Sequence, residues 1–304
     1  MTRDGSIDPA ILPGAMSPDV VLATVMLAQN ETGALMPVIE AGEAAHAAGA
    51  LMHSDAAQAI GKIPVNVDDP GVDLLSIAGH KVNAPKGAGA LYIRRGTAIH
   101  PLLLVASRER GIRPGTENAA GIIALAAAQA AASDLSDRAA GYRLLREELR
   151  DQLWAAIPGL TRHTPVRSLP NALSVSFPGV RGADILARAP TIAASTGSAC
   201  HSLVEHPSAV LIAMGVGHAE AMGTVRPSLG HGTTAQDVPR AVRGLRTAFA
   251  RRDTPRLIQR IPLVRRAVRG ARRADRTEGA VADYGNGSND AVKCRRVGGS
   301  STIR

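Results

Sequence analysis

An α/β fold, with a mixed and mostly parallel sheet followed by a second, smaller α/β unit, is what this sequence predicts. Three observations predict it. Apolar runs of strand length alternate with Ala-rich helical stretches over the first hundred residues. Three of those runs end in polar residues, "QNE" at 29–31, "DAAQ" at 55–58 and "GHK" at 79–81. A long helical stretch then separates them from a fresh strand and helix.

Taken in order, "DVVLATVMLAQNETG" (19–33) reads as an apolar strand that stops at a polar turn. "MPVIEAGEAAHAAGA" (36–50) reads as a helix of high Ala propensity. "LMHSDAAQAIGK" (51–62) begins as a short strand and breaks at Asp55. Val72, Leu74, Leu75 and Ile77 form a nearly continuous apolar run, the pattern of a strand covered on both faces and ending inside the protein. "GAGALYIRRG" (87–96) is a strand running back out. From Glu117 to about Ile157 the pattern is helical; then 171–180 is a strand, 182–190 a helix, and 191–200 a strand that runs into a loop. The expected division is a large domain over 1–135, a small C-terminal domain over 136–250 and a basic tail over 251–304.

Charge narrows the function. The net charge is +9, yet residues 251–304 carry 14 Lys and Arg against 5 Asp and Glu, which leaves 21 of each sign in the rest. The body is electrically balanced, which argues against a nucleic-acid-binding role. The tail, basic at "RRAVRGARRADR" and Gly/Ser-rich toward its end, has the composition of a disordered appendage. No uncharged apolar stretch reaches the roughly 18 residues of a membrane span. "MTRDGSIDPAILPG" also lacks a signal-peptide core, so the expectation is a cytoplasmic protein with no membrane contact. Two cysteines, Cys200 and Cys294, are too few for a disulfide framework.

In a parallel sheet the three polar strand ends lie side by side, so Asn30, Asp55, Gln58, His80 and Lys81 are expected to converge on one pocket. A lone lysine is ordinarily a solvated surface residue. Its neighbours argue otherwise here: an amine near a carboxylate, amides and an imidazole suits Schiff-base chemistry, with the carboxylate holding a pyridinium nitrogen protonated. That is the pyridoxal phosphate arrangement, with Asp55 as the pyridinium partner and Asn30 and Gln58 as candidates for the ring oxygen.

The segments "QNETG", "HSDAAQAIGKIPV", "AGHKVNAPKGAGALYIRRG", "RERGIRPGTENAAG", "PNALSVSF", "STGSACHS" and "VRPSLGHGTT" resemble, in order, the motifs of a group I cysteine desulfurase of the NifS/IscS type, within the class V aminotransferase family. They cover about residues 5–245. The resemblance implies the pyridoxal phosphate-dependent transferase fold type I. It also implies conversion of L-cysteine to L-alanine, with sulfur passed as a persulfide toward iron–sulfur cluster or thio-cofactor synthesis. By the resemblance, Lys81 is the lysine that bonds the cofactor aldehyde and moves the substrate's α proton. His80, its neighbour in the motif, is carried over with it as a catalytic and cofactor-binding residue. Asp55 pairs with the ring nitrogen, and Gln58 and Asn30 with the ring oxygen. Thr116 resembles a threonine that reaches the cofactor phosphate of a second subunit, which implies a homodimer. Arg226 matches the arginine that grips the substrate carboxylate beside Asn30, a task suited to a planar fork. Cys200 matches the sulfur-accepting nucleophile, with His201 and His206 as neighbours able to assist thiolate formation. A sulfur-acceptor protein, an iron–sulfur scaffold for instance, is the implied partner.

The chain also departs from the pattern. The family's Gly-rich phosphate cradle and ring-stacking aromatic or histidine are expected before the position of Met1 and are not found in this sequence. Ala78 stands where family members commonly carry a hydroxyl, and Cys294 has no motif around it. Two other readings therefore stay open: a catalytically inactive fragment serving as a dimerisation or acceptor-binding module, and a related lyase or aminotransferase such as a selenocysteine lyase.

Overall fold

In the computed structural model, the described residues are 1–69, 71–103, 108–130, 134–196 and 206–252. Two sheets and two main hydrophobic cores organise them. The first sheet contains β1 (Leu22–Met26), β2 (Leu51–Asp55), β3 (Leu74–Ala78) and β4 (Gly89–Ile93), in that spatial order. β1, β2 and β3 run parallel, and β4 pairs antiparallel with β3 through a register from Leu74 opposite Ile93 to Ala78 opposite Gly89. The sheet is thus mixed and mostly parallel.

A short helix α1 (Leu12–Ala15) and the longer α2 (Val38–Ala47) cover one face. α2 buries Val38, Ala41, Gly42 and Ala45, the spacing of one helical face, with Glu40 in its first turn and His46 in its last, as the helix dipole favours. These side chains meet Ala23, Val25, Met52 and Leu75. Burial alternates along β1 and β2, so only one face is sealed. The expectation for 72–77, a strand covered on both faces, is therefore corrected: Leu75 is buried while Leu74, Ser76 and Ile77 are half-buried. Near-continuous hydrophobicity arose there because Leu74 lies on the open face, where it needs only partial cover.

The run "GHKVNAPKGAGALY" makes the tight return from β3 to β4. Gly79 donates its amide to the Ala88 carbonyl at 2.9 Å, and a Cβ there would lie 2.7 Å from that oxygen. The turn thus requires glycine, and it sets His80 and Lys81 in a 3-10 turn, Gly79–Lys81, at the end of β3.

The stretch from 117 to 157, read as one helical pattern, is two helices, α3 (Ala119–Ala130) and α4 (Leu135–Ala156). α4 opens after Asp134, a residue type that favours helix ends over interiors. α3 leaves Ile122 and Ile123 exposed. α4 turns Leu149 and Leu153 onto α8 (Asp237–Ala250), whose Val238, Val242, Leu245 and Ala248 form the matching stripe. This second core is completed by Phe177, Ile185 of α5 (Gly182–Arg188) and a three-stranded antiparallel sheet, β5 (Thr161–Arg162), β6 (Val175–Ser176) and β7 (Thr224–Val225). α6 (Ala209–Ala213) and α7 (His218–Met222) carry a smaller cluster of their own, Val210, Leu211, Met214 and Ala221. Two strand expectations shrink: 171–180 is a strand only at β6, and within 191–196 only Ser195 pairs, as an isolated bridge to Arg226.

The two halves are sewn together through 167–169. Leu169 donates its amide to the Gly33 carbonyl at 2.8 Å and Leu35 donates to the Arg167 carbonyl at 3.2 Å, while the buried Arg146 of α4 holds that segment, donating to Ser168 Oγ at 3.0 Å and to the Leu169 carbonyl at 2.8 Å. Among the described residues, no helix is long and apolar enough to cross a membrane.

Candidate functional site

The site is built at the C-terminal ends of β1, β2 and β3, where an α/β sheet leaves a crevice. Pairing along the sheet sets Met26, Asp55 and Ser76 in one row, so the segments that follow emerge side by side. After β1 the buried Gln29 folds its side chain back, and its Oε1 accepts the amides of Glu31 and of Thr32, the latter at 2.9 Å. That fixes the "QNETG" turn and leaves Asn30 half-buried at its tip, its Oδ1 accepting from Gln29 Nε2 at 3.3 Å. Asp55 ends β2, half-buried, and its Oδ1 accepts the Ala57 amide at 2.8 Å. Gln58 follows one turn later. His80 and Lys81 close β3, both exposed, rather than inside the protein as the apolar run suggested.

Arg226 arrives from the other half of the chain. Its Nη1 donates to the Asn30 carbonyl, and its backbone bridges Ser195 in both directions, the Arg226 amide to the Ser195 carbonyl at 2.6 Å. Ser195, on the segment leading toward Cys200, is thus tied directly beside Arg226. Burial lowers the arginine's pKa and Glu31 opposes that shift. Arg226 Nε and Glu31 Oε2 are both buried with no hydrogen-bond partner among the described residues, an unusual state for native polar atoms. A ligand carboxylate is the kind of group that such a guanidinium accepts.

Lys81 opens into a cleft of about 850 Å³ lined also by Lys62, Arg138, Tyr142, Asn171 and His231. Among the described residues no aspartate or glutamate lines it, so the cleft favours an anion. Behind Asp55, on the open face of the sheet, His53 sits between Thr24 Oγ1 (2.6 Å) and Ser76 Oγ (3.2 Å). Burial lowers its pKa and the neighbouring Asp55 pulls it back.

The structure therefore brings Asn30, Asp55, Gln58, His80, Lys81 and Arg226 to one edge. Thr116 is exposed ahead of α3. Cys200 and His201 lie outside the described residues, and His206 is exposed. Sequence reasoning assigned no role to Gln29, Glu31 or Lys62. The signal for Lys62 was its place in "DAAQAIGK", a lysine four residues past Gln58.

The aminotransferase class-V family matches residues 1–240. The chain belongs to that family. Among curated relatives, this class-V chain is 40% identical over 245 residues to the cysteine desulfurase NifS of Azotobacter vinelandii, covering 79% of this chain and 61% of that protein. It is 42% identical over 248 residues to the cysteine desulfurase IscS of Anaeromyxobacter dehalogenans strain 2CP-C, again 79% of this chain and 61% of the relative. A solved NifS-like protein superposes with a TM-score of 0.75 at 34% identity, covering 82% of this chain and 67% of that one. The chain thus spans about three fifths of the length of these curated relatives. Its mixed sheet and second α/β unit are those of the class-V transferase fold.

Proposed function

We propose that this class-V chain is a pyridoxal phosphate-dependent cysteine desulfurase, converting L-cysteine to L-alanine and passing sulfur to Cys200 as a persulfide. One observation carries the proposal: three parallel strand ends gather Asn30, Asp55 and Lys81, and Arg226 closes on the Asn30 carbonyl with a buried Nε left unpaired. The curated relatives' names support the substrate.

The residues fit the cofactor in kind: Lys81 offers an amine at the wall of a cleft with no acid among its described lining, Asp55 and Asn30 stand at the neighbouring strand ends, and the buried, unpaired Arg226 Nε suits a substrate carboxylate. Pyridoxal phosphate bound there supplies an aldehyde and an electron-withdrawing ring that stabilise charge developing at the substrate's α carbon. Asp55 would hold the ring nitrogen's proton, and Gln58 and Asn30 would donate toward the ring oxygen. Lys81 is the amine for the aldehyde and then the base that moves the α proton, with His80 beside it. Arg226 orients the carboxylate, and its tie to Ser195 roots the segment that leads to the nucleophile.

The proposal extends to organisation: a cofactor-binding unit over 1–135, a smaller unit over 136–250 that carries the cysteine segment, and a basic tail over 251–304. The two cores support that division. Thr116, exposed here, is proposed to act across a homodimer. The sulfur acceptor is a partner protein, and the setting is the cytoplasm, where a free thiol stays reduced. A second reading, a non-catalytic docking module, is favoured by one observation: Leu91 on β4 and Ile122 and Ile123 on α3 stay exposed.

A visible absorbance titration with pyridoxal phosphate, alongside Lys81→Ala, separates the two. A yellow chromophore lost in Lys81→Ala, with alanine and sulfide formed from L-cysteine only while Cys200 is present, is the expected result. No chromophore in either protein would sink the enzyme reading for this chain and leave the docking module.

A further inference from the structure

Lys62 is half-buried in the turn that follows β2. Its Nζ donates to the Gln58 carbonyl at 2.9 Å and makes a longer 3.5 Å contact with the Lys81 carbonyl. Those two carbonyls belong to different strand ends. β2 and β3 are paired as far as Asp55 and Ser76, and the Ala56 amide makes one more bond to the Ser76 carbonyl at 3.0 Å. Beyond that point the sheet ladder stops. The Lys62 amine then spans the gap between the Gln58 turn and the Lys81 turn.

The position is an expensive one for a cation. Buried lysines ordinarily pair with a carboxylate. Lys62 faces Lys81 on the 3-10 turn after β3 and Arg226 after β7, with Glu31 opposing only through Arg226; Arg138 and Tyr142 of α4 and His231 line the same cleft. Desolvation first, then Lys81, then Arg226 push its pKa from 10.5 down to about 8. An interior apolar residue would avoid that cost, so a lysine kept there points to work at the site.

We propose that Lys62 is a positioning residue: its amine ties the Gln58 turn to the Lys81 turn and so fixes where the Lys81 amine meets an aldehyde. The inference rests on the reading of Lys81 as the aldehyde-binding amine. Because an ammonium is a stronger donor than an amine, the tie is firmest below pH 8 and slackens above it.

The test uses the full chain without cofactor. Pyridoxal phosphate is added, the adduct is fixed with borohydride, and the modified lysine and its rate of labelling are read by mass spectrometry, for wild type, Lys62→Met and Lys62→Arg, on both sides of pH 8. Thermal melting confirms that each variant is folded; if Lys62→Met does not fold, Lys62→Gln replaces it with the same readout. Wild type is expected to label Lys81. Lys62→Met labels it about tenfold more slowly below pH 8, the scale of one charged hydrogen bond, and the ratio of the two rates shrinks above pH 8. Lys62→Arg, which keeps a long cationic donor, recovers most of the rate. Equal rates in wild type and Lys62→Met at every pH would overturn the inference while leaving Lys81 as the aldehyde site. Wild-type labelling that misses Lys81 would overturn the reading of Lys81, and the inference with it.

Discussion

Each half of the molecule holds a titratable base partly or wholly withdrawn from water, and the two are treated in opposite ways. In the second sheet, His163 is buried with Nε2 2.7 Å from Ser176 Oγ, and that hydroxyl also meets the Glu220 carbonyl and Thr224 Oγ1, each at 2.8 Å. Glu220 supplies the nearby negative charge, 3.8 Å from the imidazole. At the strand ends of the first sheet, Lys62 has two carbonyls and two like charges. Burial is the leading cause of a lowered pKa in both. The lesson is in the surroundings. A hydrogen-bonded base with an opposing carboxylate nearby is architecture, whereas accumulated like charge beside unpaired Arg226 and Glu31 atoms marks a binding site.

The comparison can be broken at its architectural end first. Phe177 is fully buried in the second core against Phe249, ring centroids 5.9 Å apart, and Phe177→Ala is expected to cost about 3–5 kcal/mol in denaturant unfolding. A loss near zero would mean that the second core is not the structural anchor. Next comes the pH dependence of Lys62. Its charged form is disfavoured in the folded state, so stability rises as pH climbs from about 8 toward 10.5, where the unfolded chain still holds the proton and the folded one does not. Wild type should gain up to about 3 kcal/mol over Lys62→Met across that window, read from urea midpoints. A flat difference would show that the amine is not desolvated.

Ser176→Ala sharpens the contrast. It strips His163, Thr224 and the Glu220 carbonyl of a shared partner, and should cost about 1–3 kcal/mol without altering aldehyde labelling of Lys81. The His163 contribution has its own window: stability falls as pH drops below 6.5, because the unfolded imidazole takes a proton that the buried one resists. The smallest effect belongs to Leu144, 73% exposed on α4, where Leu144→Gln should change stability by no more than about 0.5 kcal/mol.

Much of the site was legible because it is local. "QNE", "DAAQ" and "GHK" each follow a strand within a few residues, and parallel pairing of β1, β2 and β3 obliges those ends to share an edge. The strand over 87–96 was legible as one running back out, but the tight return into it was not; Gly79 makes that return against the Ala88 carbonyl. Strand lengths were less legible. Residues 171–180 carry the apolar pattern of a strand, but only Val175 and Ser176 find ladder partners, since pairing depends on what chain lies alongside. The start of α4 after Asp134 was passed over because the stretch is helix-forming on both sides of that residue.

The sequence by itself determined which residue types stand at which strand ends, where the amphipathic stripes of α2 and α8 fall, and that the excess charge belongs to 251–304. Those are consequences of spacing along the chain, and periods of two and 3.6 residues are visible without a fold. Only the tertiary structure decided that one face of the first sheet is sealed, that Arg226 closes on Asn30 from 196 residues away, and that Lys62 bridges two turns amid like charges. Those depend on packing between distant segments and on desolvation, and both arise when the chain comes together.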